Sequence, residues 1–125
     1  MSSQKRILII DDEPDIREVA QVSLELVGHH EVFTAGSGHE GLEAARTHQP
    51  DAILLDVTMP DLDGPSTLAE LRADPATREI PVVFLTAKTQ SAERAQLAQL
   101  GAAGILTKPF DPMKLADQLA STLHW

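Results

Sequence analysis

Five short aliphatic runs recur along the chain, and the segments between them are long enough to form helices. Each run has few polar interruptions, which is typical of strands buried on both faces of a parallel sheet. Strands that alternate with helices indicate an α/β domain. We therefore predict five parallel strands with five helices, the strands being RILII (6–10), EVFTA (31–35), AILLD (52–56), IPVVFLT (80–86) and GILT (104–107).

Capping residues mark where the predicted helices begin and end. Pro14 suits the first turn of the first helix, and Gly28 ends it. Ser37 and Glu40 have capping-box spacing and open the second helix. The third helix is expected to begin near Pro65 and the fourth to have Ser91 as its cap. The fifth is expected to begin at Asp111 and Pro112. Apolar residues at helical spacing define the buried faces, namely Ile16, Ala20, Leu24, Val27, Leu42, Ala45, Leu115, Leu119 and Leu123.

Length and composition narrow the class of protein. A chain of 125 residues with 42% hydrophobic content fits one domain, with a core from about residue 5 to 124 and no output domain. There is no cysteine for a thiolate metal site, and the aliphatic runs are too short to span a membrane. A net charge of −9 argues against nucleic-acid binding by this chain alone. A cytoplasmic protein with protein or small-molecule partners is expected.

Candidate functional residues lie where the predicted strands end. In an open, doubly wound sheet, ligands bind beyond the carboxyl ends of the strands, near the point where the strand order reverses. With the flavodoxin-like order 2-1-3-4-5, the first and third strands flank that point. The polar residues at this edge are Asp11, Asp12, Asp56, Thr86 and Lys108.

Three carboxylates at one edge of the sheet would repel one another strongly. A single pair at about 4 Å costs on the order of 4 kcal/mol at an effective dielectric constant of about 20. One lysine does not offset three such pairs, whereas a bound divalent cation would. Oxygen ligands favour Mg²⁺ over zinc. A metal beside a carboxylate also suits phosphoryl transfer, with Lys108 and the Thr86 hydroxyl holding phosphoryl oxygens.

Four segments of the chain resemble the receiver domains of two-component response regulators, of which the stand-alone chemotaxis regulator is the simplest member. They are ILIIDDEP, DAILLDVTMPDLDG, PVVFLTA and GAAGILTKPF, in the family's order and close to its spacing. The resemblance covers roughly residues 5 to 124. It implies a signalling switch that receives a phosphoryl group from a histidine kinase or a phosphotransfer protein and catalyses only its own phosphorylation and dephosphorylation.

The resemblance also implies roles for individual residues. Asp56 would be the phosphoacceptor. Asp12, Asp56 and the main-chain carbonyl of Thr58 would ligate Mg²⁺ directly, and Asp11 would act largely through a water. The phosphoryl contacts and the switch would involve Thr86, Ala87 and Lys108, while Thr58 and Lys88 would tune the lifetime of the phosphoryl group. Pro109 is expected to follow a cis peptide bond, and Gly64 to adopt a backbone conformation that side chains disfavour.

One position departs from the family pattern. Receivers often carry an aromatic residue where this chain has Ile105, and the chain contains no tyrosine. The output is therefore expected to rely on the loop after Thr86, with Ile105 changing its packing only. An unknown downstream protein would read the face of the fourth helix, fifth strand and fifth helix, and a kinase would dock beside the first helix and the loop at Pro109 and Phe110. The readout face would hold Lys88, Arg94, Ile105, Lys114 and Gln118.

Other interpretations of the same residues remain open. Asp12 and Glu13 could serve only to stabilise the N-terminus of the first helix. A degenerate receiver could act purely as an interaction module, although such versions usually lose an acid or the lysine. A small hydrolase or flavin-binding domain could share the sheet. Against it, the chain leaves no room for a cap domain and has no Ser/Thr/Gly-rich phosphate loop after the first strand.

Overall fold

The computed structural model of the chain describes residues 4–87 and 91–125. Strands and helices alternate strictly along them. In chain order the elements are β1 (Arg6–Ile10), α1 (Pro14–Leu26), β2 (Glu31–Ala35), α2 (Gly38–His48), β3 (Ala52–Asp56), α3 (Gly64–Ala73), β4 (Val82–Thr86), α4 (Ser91–Ala98), β5 (Gly104–Thr107) and α5 (Leu115–Leu123). None of the helices in these ranges is long and apolar enough to cross a membrane.

The five strands form one parallel sheet in the order β2-β1-β3-β4-β5, which confirms the predicted flavodoxin-like fold. β1 lies between β2 and β3, so the strand order reverses beside it. The predicted bounds of β1, β2, β3 and β5 are confirmed. β4 begins at Val82 rather than Ile80, because Pro81 has no N–H for the ladder and contributes only its carbonyl, which accepts a hydrogen bond from Ile53.

The sheet is buried on both faces because the helices pack on either side of it. Alternate residues of β1 point in opposite directions, so Ile7 and Ile9 pack with α1 and α5, whereas Leu8 and Ile10 pack with α2, α3 and α4. β3 and β4 are buried at every position. The carboxyl end of β3 therefore emerges from the centre of the core, and Asp56 is buried with it.

The starts of α2, α3 and α4 lie at or next to the positions that the sequence signals predict. The Ser37 side chain caps α2 by accepting a hydrogen bond from the Glu40 amide, as expected, while the Glu40 carboxylate accepts one from the amide of Gly36. α3 begins at Gly64, next to the predicted Pro65, and its cap is Asp63, which the sequence analysis missed. α4 begins with Ser91 as its first residue.

Two of the predicted helix features are wrong. α5 begins at Leu115 rather than at Asp111, because Asp111 instead closes a turn before the helix, its carboxylate accepting from the Met113 amide and its carbonyl from the Lys114 amide. Val27, predicted on the buried face of the first helix, is exposed and follows the end of α1 at Leu26. Leu115 and Leu119 are buried as expected.

Gly64 is required for a different reason from the one expected. Its φ does not lie in the left-handed region, which the loop enters at Asp61 with φ of 67°. A Cβ built on Gly64 would instead lie 2.4 Å from the carbonyl oxygen of Asp56 and 2.7 Å from the Cα of Val57. The start of α3 thus packs directly on the backbone that carries Asp56, an approach that only glycine permits.

Candidate functional site

Three carboxylates converge at the carboxyl ends of β1 and β3. Asp11 and Asp12 follow β1, and Asp56 is the last residue of β3. One carboxylate oxygen from each of the three lies within 4.8 Å of the others. Asp11 and Asp56 are buried, and Asp12 is half-buried. The structure therefore brings together the acids that the sequence analysis placed at this edge of the sheet.

Lys108 reaches into this cluster from the end of β5. Its Nζ lies 2.9 Å from Oδ2 of Asp11, 3.1 Å from Oδ1 of Asp56 and 3.6 Å from Oε1 of Glu13. The Lys108–Pro109 peptide bond is cis, and the Lys108 amide donates to the carbonyl of Thr86. Burial disfavours the charged ammonium, but the hydrogen bonds and charges of Asp11 and Asp56 outweigh it and raise the pKa of Lys108. The side chain is held as a cation between two carboxylates.

The cluster keeps an excess of negative charge, which shows in the titration of Asp56. Burial, followed by the charge of Asp11, raises the pKa of Asp56 to about 7. The charge and hydrogen bond of Lys108 and the amide of Thr58, 3.3 Å from Oδ1, offset only part of this effect. Near neutral pH, and with the chain's own charges alone, a substantial fraction of Asp56 is protonated.

The donor set fits a magnesium ion. Asp11 uses Oδ1 to accept a hydrogen bond from the Glu13 amide and Oδ2 to pair with Lys108. Oδ2 of Asp56 is buried and has no hydrogen-bond partner among the described residues. A buried carboxylate oxygen without a partner, beside a second and a third carboxylate, is the arrangement that a hard divalent cation with oxygen ligands would complete.

The other predicted site residues lie around the cluster. Thr86 is buried at the end of β4 and pairs in register with Thr107, the residue before Lys108. Ala87 and Thr58 are exposed at the same edge. Ile105 is half-buried beside Phe84 and packs on the core under α2, α3 and α4. Lys88, the expected lifetime-tuning residue, lies outside the described residues.

Two arginines bind the edges of the site, a role that the sequence predicted for neither of them. Arg17, in α1, donates from Nη1 to the main-chain carbonyl of Asp11 at 2.8 Å. Arg94, in α4, donates from Nη1 to the hydroxyl of Thr107 at 2.7 Å. A basic residue one turn into the helix that follows the acid pair was a usable signal for Arg17. For Arg94, which was assigned only to the readout face, we find none.

Comparisons with known proteins agree with this geometry. The family model described as the response regulator receiver domain matches residues 7–120. The response regulator Rre1 of Synechocystis sp. is 38% identical over 115 residues, which are 92% of this chain and 50% of that protein. The alkaline phosphatase synthesis transcriptional regulatory protein PhoP of Bacillus subtilis is 38% identical over 96% of this chain and 49% of its own length.

A solved structure shows the same fold. The chemotaxis protein CheY4 of Vibrio cholerae superposes with a TM-score of 0.87 at 31% identity, covering 96% of this chain and 99% of that one. The chain therefore matches a chemotaxis protein over nearly its whole length, whereas it spans about half the length of the curated relatives it matches.

Replacing Asp56 by Asn should stabilise the protein at neutral pH in the absence of divalent cations. With its raised pKa, the carboxyl binds a proton more tightly in the native state than in the unfolded chain, so native stability falls as pH rises from about 4 towards 7. Each pKa unit corresponds to about 1.4 kcal/mol, and the cost of burying the Asn amide cancels part of the gain. We expect Asp56→Asn to raise the free energy of unfolding by about 1–3 kcal/mol at pH 7.5.

Urea denaturation of both proteins in a chelator at pH 7.5 and pH 4 measures this difference. The advantage of the variant should disappear at pH 4, where the native carboxyl of Asp56 is protonated. An equal difference at both pH values would contradict a raised pKa at Asp56.

Proposed function

Because this chain belongs to the response regulator receiver domain family, we propose that Asp56 accepts a phosphoryl group from a phosphohistidine with the help of bound Mg²⁺. Receiver domains are the phosphoacceptor switches of two-component systems, they interact with histidine kinases or phosphotransfer proteins, and they bind Mg²⁺ in an acidic pocket. The proposal extends these family properties to named residues of this chain.

One observation carries the proposal: Lys108 Nζ joins the buried carboxylates of Asp11 and Asp56, while Oδ2 of Asp56 has no hydrogen-bond partner among the described residues. A degenerate receiver that acts only as an interaction module has no need to retain both buried acids and the lysine. Their cost in desolvation and repulsion is explained if a metal and a phosphoryl group use them.

Asp12, Asp56 and the Thr58 carbonyl would hold Mg²⁺, with Asp11 acting through a water. The ion would keep Asp56 ionised at neutral pH and neutralise charge on the phosphoryl oxygens. Mg²⁺ prefers oxygen ligands. Asp11, Asp12 and Asp56 supply carboxylate oxygens that lie close together.

The chain's own groups account for the transfer. A lone pair of an Asp56 carboxylate oxygen forms a bond to phosphorus while the bond between phosphorus and the donor imidazole nitrogen breaks, and the histidine leaves with that electron pair. Lys108 pairs with the phosphoryl oxygens in place of Asp56, and Thr86 and Ala87 contact them from the end of β4. Attack of water on phosphorus would then break the bond to the Asp56 oxygen and release inorganic phosphate, which restores the carboxylate at a rate that Thr58 and Lys88 would tune.

The intact mass of the protein after incubation with acetyl phosphate and Mg²⁺ tests this function. We expect one added phosphoryl group on the wild-type chain and none on Asp56→Asn or in the presence of a chelator. Glu79→Gln is the matched control: Glu79 is an exposed acid in the segment before β4, outside the cluster, and this variant should be labelled normally.

Two outcomes would count against the proposal. Labelling that persists in Asp56→Asn would place the phosphoacceptor elsewhere. The absence of both an adduct and Mg²⁺ binding would favour the interaction module instead.

The readout is proposed to run through α4, β5 and α5. Thr86 would move towards the phosphoryl group, and its register partner Thr107 is hydrogen-bonded to Arg94 of α4. Ile105 offers no hydroxyl, so its contribution would be limited to packing against the core. Lys114 and Gln118 are exposed on the same side and would contact a downstream protein.

The phosphoryl donor is proposed to dock on α1 and the turn before α5. Apolar side chains that would otherwise favour burial are exposed there: Val19, Val22, Leu26 and Met113 have exposed fractions of 43%, 46%, 71% and 68%. They surround a groove of about 370 Å³. An apolar groove of this kind suits the apolar face of a partner helix.

A charge placed in this groove should block the donor and spare the chemistry. We expect Val22→Glu to slow transfer from a phosphorylated histidine phosphotransfer domain about tenfold or more, because a buried contact is replaced by a desolvated charge. Labelling by acetyl phosphate should not change. Leu100→Glu makes the same kind of change at an exposed leucine beyond α4 and should leave both rates as they are. Unaltered transfer in Val22→Glu would place the donor on another face.

A further inference from the structure

Arg17 connects the first helix to the peptide that joins the two acids after β1. Its Nη1 donates to the carbonyl oxygen of Asp11 at 2.8 Å, and this carbonyl belongs to the peptide bond between Asp11 and Asp12. We propose that Arg17 is a positioning residue for the Mg²⁺ site, holding this peptide so that both carboxylates face the cation. The inference rests on the proposed function, since it concerns the same metal.

The remaining polar atoms of Asp11 are also held. Its amide donates to the carbonyl of Ala35, its Oδ1 accepts from the Glu13 amide, and its Oδ2 pairs with Lys108. The contact from Arg17 holds the main-chain carbonyl, which is the remaining polar group of Asp11. Because Asp12 begins at that same peptide bond, the direction of its half-buried side chain depends on the plane that Arg17 holds.

The guanidinium itself is placed by the turn after β2. A Cβ built on Gly36 would lie 3.1 Å from Nη1 of Arg17, so the guanidinium lies against the bare backbone of this glycine. The Gly36 amide in turn donates to the Glu40 carboxylate at 3.0 Å. Arg17 therefore lies between the turns that follow β1 and β2, and its Nη1 faces both the Asp11 carbonyl and the backbone of Gly36.

Charge and position predict opposite effects when Arg17 is removed. Loss of a cation beside an acidic cluster would, by charge alone, strengthen binding of Mg²⁺. Loss of a group that holds the ligands would weaken it, typically by 10- to 100-fold for residues that support metal ligands. The sign of the change in Mg²⁺ affinity thus separates a positioning role from an electrostatic one.

Calorimetric titration of MgCl₂ into metal-free protein at pH 7.5 provides the measurement. We expect Arg17→Met to weaken Mg²⁺ binding about tenfold, and Arg17→Lys to recover part of the loss because an ammonium can donate to the same carbonyl. Arg46→Met is the matched control: it removes the same charge from α2, where Arg46 pairs with Glu43 and Asp74, and should not weaken binding.

Two further measurements separate positioning from general damage to the fold. Gly36→Val displaces the guanidinium without any change in charge, and it should also weaken Mg²⁺ binding, by a smaller factor. At saturating Mg²⁺, the rate at which acetyl phosphate labels Arg17→Met should return to within about twofold of wild type, since only occupancy of the site is impaired. Gly36→Val and Arg17→Lys carry the test if Arg17→Met does not fold.

The outcomes are distinguishable from those of the proposed function. Wild-type protein that binds no Mg²⁺ would overturn both. Wild-type protein that binds Mg²⁺, with equal or tighter binding in Arg17→Met and no loss in Gly36→Val, would overturn the positioning role alone and leave the phosphoacceptor in place.

Discussion

Two carboxylates buried at the ends of adjacent strands, with a single lysine between them, are the constraint on which the rest of this structure depends. The Lys108 ammonium contacts both Asp11 and Asp56, yet it does not compensate for their burial and mutual repulsion, and the pKa of Asp56 remains near 7. Under the proposed function, a divalent cation bound to the cluster would lower this cost, and a phosphoryl group on Asp56 would change the charge of the cluster again. Because this burial and repulsion destabilise the native state, the free energy of the native state depends strongly on which ion or group binds to the cluster.

The fold holds these charges in place with backbone contacts of short range. β1 and β3 each lie between two other strands, so the backbone that leads to the two acids is held on both sides. Gly64 lets the start of α3 pack on the backbone at Asp56, and the Lys108 amide is bonded to the carbonyl of Thr86. Both faces of the sheet are covered by apolar side chains, and this burial offsets the cost of the charged cluster.

Much of this arrangement could be predicted from the sequence, because it follows from local signals and one topological rule. The short, mostly apolar runs predict the correct bounds of β1, β2, β3 and β5. The rule that ligands bind at the carboxyl edge of a doubly wound sheet places Asp11, Asp56 and Lys108 together. The remainder depended on tertiary contacts. Asp111 and Pro112 have the residue types of a helix start but form a turn, and Gly64 is required by a neighbouring backbone rather than by its own φ.

Long side chains were the least predictable part of the site. The position of Arg17 one turn into α1 is a usable signal, but the path of its side chain to the Asp11 carbonyl also depends on how closely the turn at Gly36 approaches α1. Arg94 likewise reaches Thr107 across the packing of α4 on β5. Both arginines connect a helix to the backbone or hydroxyl beside a charged residue. In this chain, the residues that hold the site in position are therefore harder to predict than the residues at its centre.

The central claim is that repulsion among buried acids controls the state of Asp56 and that Mg²⁺ relieves it. The ¹³C chemical shift of the Asp56 carboxyl, followed against pH with and without Mg²⁺, tests it directly. We expect an apparent pKa near 7 in the metal-free protein and a value lowered by at least one unit when Mg²⁺ is present. An ordinary carboxyl pKa near 4 without metal, unchanged by Mg²⁺, would contradict the account.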